Sequence, residues 1–455
     1  MTTSNCVILD NGAGRVKYGC LLVSQGINER CQLKGSIPNC VAKVNKQMTV
    51  LVGDQMENVN DKSSLRYSRP FERGYMTNPH CQIEVWRRIF DSPTMLGAQV
   101  KPESTCLLLT EPPFSPEPIQ NDTNEIIFEE FGFGEYLRRP AAWFSAYEFE
   151  QDRSGNIRVG SSPRASASAE SKGMLQQHPN YGCCTVVDSG FSFTHIFPFV
   201  DGKCKKTAVK RVNVGGKLLT NYLKELVSLR QYDMADEFYL VDQVKEATCY
   251  VSTNFVNELA GCTKAAGVGG TRSSGLHERT RVLDFRGECM KKSFVLPDFQ
   301  KVMRGFLKED DAMDEPGEQT LSMETERFAV PEVLFHPSDI GMNQAGLTEA
   351  TAQSLSELSE IEMGLCARNI LLTGGNACMP QFRDRFRADI RMHVPDVFDV
   401  NVHLPDDPRD FAWNGASRFV QNETNAGTLS RHTVTRAEYL EHGNEYTNEK
   451  FFRNW

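Results

Sequence analysis

The chain has 455 residues, 24% of them charged and 40% apolar, with a formal net charge of −9. This length exceeds the ~250–300 residues at which one hydrophobic core stops growing, so two or more lobes are expected. The acidic balance argues against broad electrostatic capture of nucleic acid, and no apolar run approaches the ~20 residues that span a membrane.

The chain opens on "CVILDNGAGRVKYG" (Cys6 to Gly19). An apolar strand ends at Asp10, two glycines follow in three positions, and Lys17 enters a second strand. One reading is a plain β-hairpin whose Asp-Asn-Gly turn reaches φ > 0. The other is a glycine turn whose backbone N–H groups wrap a phosphate. The start "MTTSNCVILD" lacks a signal peptide's basic region, and the 14 cysteines form no CxxC pair. They read as reduced thiols of a soluble, intracellular protein.

Further on, "CQIEVWRRIF" (Cys81 to Phe90) spaces its apolar residues as a helix does, and "TCLLLTEPP" reads as a buried strand closed by a proline pair. The stretch from Glu150 to Asn180 is rich in Ser, Ala and Gly and reads as a flexible insertion between two halves. Immediately after it, "CCTVVDSGFSFTHIF" (Cys183 to Phe197) repeats the grammar of the opening stretch, with Asp188 lying 188 − 10 = 178 residues after Asp10. A spacing of one domain's length implies a duplicated fold.

The basic run "KCKKTAVKR" (Lys203 to Arg211) fits a strand with one solvated face, or else a nuclear signal or DNA contact. "KLLTNYLKELVSLRQ" (Lys217 to Gln231) has helical spacing, while the segments 263–281 and 308–319 read as polar surface loops. In "NILLTGGNACMPQFRDRF" (Asn369 to Phe386) a strand runs into Gly374-Gly375, and a helix opens with proline in its first turn. Such a junction is an ordinary β-to-α turn or a seat for phosphate or sugar groups. Trp86, Trp143, Trp413 and Trp455 read as core or terminal packing. Alternating strands and helices in each half make this an α/β protein.

Two strand–Asp–Gly hairpins a domain apart, with a late Gly-Gly turn, resemble the actin-type ATPase superfamily. "IPNCVA", "RPFERGY", "LLLTEPPF" and "ERFAVPEVLFHPSDIGMNQAG" narrow the likeness to actin and its relatives. "VDSGFSFTHI", "VNVGGKLLTNYLKE", "VKEATCYVS" and "LLTGGNACMPQFRDR" resemble the nuclear actin-related protein six subclass. The resemblance implies an actin-like ATPase fold: two duplicated ribonuclease-H-like lobes around a nucleotide cleft, each with a smaller inserted subdomain. The expected first lobe is 1–180 with an insertion at about 31–68, the second is 181–410 with an insertion at about 215–300, and 411–455 returns to the first lobe.

It also implies site residues. Asp10 and Asp188 would hold Mg²⁺ through water, Gly12, Ala13, Gly14 and Gly190 would shape the hairpins, and Lys17 would reach the phosphates of ATP or ADP. Gly374, Gly375, Lys245, Glu246 and Arg409 would lie on the adenosine side, with Gly215 and Gly216 lining the cleft and His195 near the reacting water. Lys245 and Glu246 also fit a solvated helix face.

Three departures from actin stand out. Ala141 occupies the place of the glutamine that aims the attacking water, Phe191 that of an aspartate on the Mg²⁺ side, and Ala13 that of a phosphate-contacting serine. Hydrolysis requires a water held in line with the γ-phosphate, which alanine cannot provide.

The resemblance, taken with these departures, implies a non-catalytic, ATP-binding scaffold subunit of a histone-variant-exchange chromatin remodelling complex. It would reside in the nucleus and also the cytoplasm, with a small zinc-bearing subunit and histones or the nucleosome as partners, no membrane and no homopolymer. The alternatives are an active ATPase or small-molecule kinase of the same superfamily, and a filament-forming actin relative.

Overall fold

The computed structural model describes residues 5–21, 23–24, 27–28, 32–44, 50–59, 65–97, 100–155, 182–265, 283–287, 290–298, 302, 304–309 and 317–453. Two six-stranded sheets organise them. In the first, Asn5–Asn11 pairs antiparallel with Arg15–Leu21 and parallel with Thr105–Glu111. Gln32–Pro38 extends the hairpin side, and Glu135–Pro140 followed by Val434–Thr435 extends the other. In the second, Cys184–Ser189 pairs antiparallel with Thr194–Val200 and parallel with Ile370–Thr373, beyond which lies Val402–His403. Lys203–Cys204 and Lys210–Val212 both pair with Thr194–Val200. Apart from Val434–Thr435 in the first sheet and the second short strand on Thr194–Val200 in the other, the strand order is the same in both, so the repeat seen around Asp10 and Asp188 is a repeat of topology.

Central strands covered on both faces are written as unbroken apolar runs. Accordingly Val7, Ile8, Leu9, Leu107 and Leu108 are completely buried. The helix Pro79–Asp91 starts with proline, its Asn78 side chain accepts from the Cys81 N–H at 3.1 Å, and it buries Cys81, Val85, Trp86 and Ile89. Gly216–Arg230 buries Leu219, Leu223 and Val227, four residues apart, in the second core.

One helix joins the two cores. Ala141–Gly155 sends Phe144 into the first, while its Ala142, Ala146 and Phe149 pack with Val186, Phe197 and Leu371 of the second sheet. Smaller sheets flank the large ones. Val50–Val52, Val41–Val44 and Leu65–Ser68 form one, and Phe306–Leu307, Lys292–Val295 and Thr320–Met323 another. The helix Phe411–Ala426 packs on Ala141–Gly155, and Arg436–Arg453 returns to the first sheet.

Several local expectations change. The segment read as a loop from Glu150 is helical through Gly155, because Phe149 anchors the last turns at the lobe junction. Most of the 150–180, 263–281 and 308–319 segments lie outside the described residues, as does Trp455. The run from Lys203 is two short strands split by a 3-10 turn at Lys206–Ala208. Lys205 pairs with Glu362 at 2.6 Å and Lys210 with Glu357 at 3.3 Å, so part of its charge is already met. Trp86 and Trp413 are core residues, and Trp143 stacks on Tyr147. Among the described residues no helix is long and apolar enough to cross a membrane.

Candidate functional site

The first hairpin places Asp10 directly opposite Lys17. Lys17 Nζ lies 2.7 Å from Asp10 Oδ2 and 3.6 Å from an Asp410 carboxylate oxygen, and it donates to the Arg409 carbonyl. Burial by itself would lower the Lys17 pKa, but the charge and hydrogen bond of Asp10 outweigh it and the net shift is upward. The Thr110 hydroxyl donates to Asp10 Oδ1 at 2.8 Å and accepts the Asn11 N–H at 2.8 Å. Sequence reasoning missed Thr110. Its signal is the parallel register, which sets the end of "LLLT" beside the end of "VILD".

The turn differs from the plain-hairpin expectation. Neither Gly12 nor Gly14 has a positive φ. They are needed for close approach: a Cβ on Gly12 would stand 2.7 Å from the Arg15 carbonyl oxygen, and one on Gly14 would stand 3.0 Å from the Phe191 ring. Gly14 thereby touches the turn of the other lobe's hairpin. Ala13 packs its methyl toward the first core. The N–H groups of Gly12, Ala13 and Gly14 have no acceptor among the described residues, nor do those of Phe191 and Ser192 opposite. Half-buried donors left open on two facing turns suit an anion.

The second hairpin repeats the register of the first. Asp188 faces His195, seven positions on, as Asp10 faces Lys17 (17 − 10 = 7 and 195 − 188 = 7). Burial, then the charge of Asp10, pushes the Asp188 carboxyl up to about 6, with Lys17 opposing. Burial and then the Arg211 charge lower the His195 imidazole to about 4, so it is neutral at pH 7. The Gly-Gly turn closes on this hairpin. Gly374 has φ +91°, and a Cβ there would stand 2.3 Å from the Ser189 carbonyl oxygen and 2.9 Å from Asp188 Oδ1. The Asn376 amide, also missed in the sequence, donates to Ser189 Oγ at 3.1 Å and to the Gly190 carbonyl at 2.9 Å. Beside Gly375, in contrast, a Cβ would meet nothing within 4 Å.

A raised carboxyl makes a sign-definite prediction. The folded pKa of Asp188 lies above its unfolded value, so folding favours the protonated form. That contribution is complete below about pH 4 and lost as pH rises through about 6. Asp188→Asn is therefore expected to raise the melting temperature at pH 8, with the gain shrinking between pH 6 and 4. Thermal melts of both proteins across that range are the check.

On the remaining side, Gly215 precedes the helix Gly216–Arg230, and the Gly216 N–H donates to the Gly190 carbonyl at 3.0 Å. That donor is spent on holding the second hairpin. Lys245 is buried, against the solvated-face reading, and its Nζ binds Asp242 at 2.6 Å, Thr220 Oγ1 at 2.8 Å and the Gly216 carbonyl at 3.3 Å. Glu246 is exposed, in the field of Lys245, Arg409 and, from the first lobe, Arg15. The proline expected in the first helical turn instead lies ahead of the helix. A 3-10 turn at Gly375–Cys378 intervenes, Gln381 adopts φ 62°, and the helix runs Phe382–His393.

Ala141 is the first residue of its helix, next to the strand end where Pro140 pairs with Glu111. Neither its methyl nor the Phe191 ring can hydrogen-bond a water. Among the described residues no group of three or more His, Cys, Asp or Glu side chains could hold a metal ion. Asp10 and Asp188 stand as a pair. A separate surface cavity of about 400 Å³, lined by residues including Arg87, Phe90, Gly97 and Phe131, contains none of the expected site residues.

The family model described as Actin matches residues 1–452. Actin-like protein arp6 of Emericella nidulans is 34% identical over 476 residues, covering 98% of this chain and 94% of the relative. Actin-related protein 6 of Arabidopsis thaliana is 33% identical, covering 99% and 100%, and that of Drosophila melanogaster is 32% identical, covering 98% and 99%. With duplicated hairpins, the Gly-Gly turn against Asp188 and a family match along nearly its whole length, the chain belongs to the actin family.

Proposed function

We propose that this chain is a non-catalytic scaffold subunit of a nuclear histone-variant-exchange chromatin remodelling complex, holding ATP between its lobes with little or no hydrolysis. One observation carries the reading: two facing turns present unclaimed N–H donors, while Ala141 and Phe191, at the places that the resemblance to actin gives to a glutamine and an aspartate, bring no hydrogen-bonding side chain. Relatives named Actin-related protein 6 support placing the chain in that subclass.

In this reading the turn N–H groups of Gly12, Ala13 and Gly14 and the Lys17 ammonium receive the phosphates. Gly374 and Gly375 leave room on the adenosine side. Asp10 raises the Asp188 pKa, and a cation between these carboxylates would relieve that repulsion. Mg²⁺, when present, would be held there largely through water and phosphate oxygens, neutralising their charge. His195 is neutral, and Ala141 and Phe191 at the places that the resemblance to actin gives to a glutamine and an aspartate leave it without those two partners in positioning a water, which supports retention of the intact nucleotide. The role of the chain would then be mechanical, with a filled cleft fixing the relation of two lobes whose outer surfaces hold other subunits, a small zinc-bearing one among them.

Single-turnover phosphate release is the test. The purified chain is expected to retain ATP and release no phosphate above a no-protein control. A burst equal to the bound ATP would instead establish the active-ATPase alternative. Sedimentation under polymerising salt should leave the chain in the supernatant, and a pelleted majority would favour the filament alternative.

A further inference from the structure

Arg69 lies at the point where the two hairpin turns meet. It follows the strand Leu65–Ser68 of the small first-lobe sheet. Its guanidinium carbon stands 4.7 Å from the centre of the Phe191 ring and 5.3 Å from that of Phe238, and the two rings meet edge to face at 6.1 Å. Phe191 also packs against Gly14. Four parts of the chain therefore converge here: the small sheet, the two hairpins and the first turn of the helix Phe238–Thr248.

The guanidinium is half-buried and has no hydrogen-bond or ion-pair partner among the described residues. An arginine carries five donors in a planar fork, and a partly desolvated one without an anion is an unmet demand. The neighbouring cation differs, because Lys17 is already bound to Asp10 and the Arg409 carbonyl. Stacking on Phe191 holds the Arg69 fork in place without using its donors. The ring it lies over, Phe191, and the residue that ring packs against, Gly14, belong to the two turns whose N–H groups at Gly14, Phe191 and Ser192 are open. A guanidinium and open N–H donors brought together on two adjoining turns are the chemistry that recognises phosphate oxygens.

We infer that Arg69 is a phosphate-binding residue of the cleft, supplying in place of a divalent cation the positive charge that meets the terminal phosphate of a nucleoside triphosphate. The inference rests on the nucleotide reading above. It makes ATP binding largely independent of Mg²⁺. A guanidinium is a fixed part of the chain, whereas the two carboxylates Asp10 and Asp188 are too few to hold an ion without water and phosphate.

The experiment measures the affinity of a fluorescent ATP analogue, and of the matching ADP analogue, for the full chain in Mg²⁺ and in EDTA. Wild type is expected to lose less than about threefold in ATP affinity on chelation. Arg69→Met, which keeps the apolar stem over the ring, is expected to weaken ATP binding in EDTA by about tenfold or more, from loss of a charge-assisted contact. ADP should be weakened less, since it lacks the terminal phosphate. Arg69→Lys, a point charge without the fork, should fall between, and serves if the methionine variant does not fold. A tenfold loss of wild-type affinity in EDTA, or Arg69 variants that bind ATP like wild type, would overturn the inference and leave the nucleotide reading standing. Wild type that binds neither nucleotide in either buffer would overturn both.

Discussion

Arg385→Met is expected to destabilise the second lobe by about 3–5 kcal/mol, the range for removing one partner of a buried ion pair. Arg385 and Glu332 are almost fully buried, and the guanidinium donates to both Glu332 carboxylate oxygens, at 2.9 and 2.7 Å. It also binds Asp389 and the Ser252 carbonyl, both at 2.6 Å, and lies 4.9 Å from the centre of the Phe335 ring. The network ties the helix Phe382–His393, which follows the Gly-Gly turn, to the helix Glu326–Glu332. Without the arginine, Glu332 would keep only His336 Nδ1, at 2.6 Å, among its present side-chain partners. The penalty is thus the buried carboxylate, and the double variant Arg385→Met/Glu332→Gln should be more stable than the single one. Urea unfolding of the three proteins tests this. A double variant no better than the single would show that the loss comes from packing instead.

The second large effect belongs to the Gly-Gly turn and separates its two glycines. Gly374→Ala would force a Cβ within 2.3 Å of the Ser189 carbonyl oxygen at φ +91°. Neither atom can yield without moving the second hairpin, and strain plus overpacking of this kind costs about 1–3 kcal/mol or more. Its melting temperature should fall with or without ATP. Gly375→Ala meets nothing within 4 Å. It should melt like wild type when empty, and lose most of the stabilisation that bound ATP gives wild type, because the methyl would occupy space the nucleotide uses. An ATP shift unchanged in Gly375→Ala would remove this glycine from the site. A Gly374→Ala protein that melts like wild type would contradict the packing described for the turn.

Much of the architecture was legible because it is written in one-dimensional patterns. Buried parallel strands are unbroken apolar runs, so "VILD" and "LLLT" announced themselves, and the spacing of Leu219, Leu223 and Val227 announced a helix. The candidate site was legible as paired motifs, through Asp10, Lys17, Asp188 and the two glycine turns. Other parts were hidden for definite reasons. Lys245 sits on an amphipathic helix and fitted either the adenosine side or a solvated face, but acceptors on Asp242, Thr220 and Gly216 take up its ammonium. The helix after the Gly-Gly turn starts later than proline placement suggests, because Gln381 takes a left-handed conformation that local propensity does not favour.

The sequence by itself determined the duplication, the α/β class and the absence of polar groups at Ala141 and Phe191, since each is a matter of residue identity and local spacing. Only the tertiary structure decided which groups meet. Thr110 reaches Asp10 through parallel register, Gly14 touches Phe191 across the lobes, and Arg69 arrives over that ring from a third segment. Those contacts join residues about 100 or more apart in the chain, and no local pattern records a distance that only the packing of two sheets against one shared helix creates.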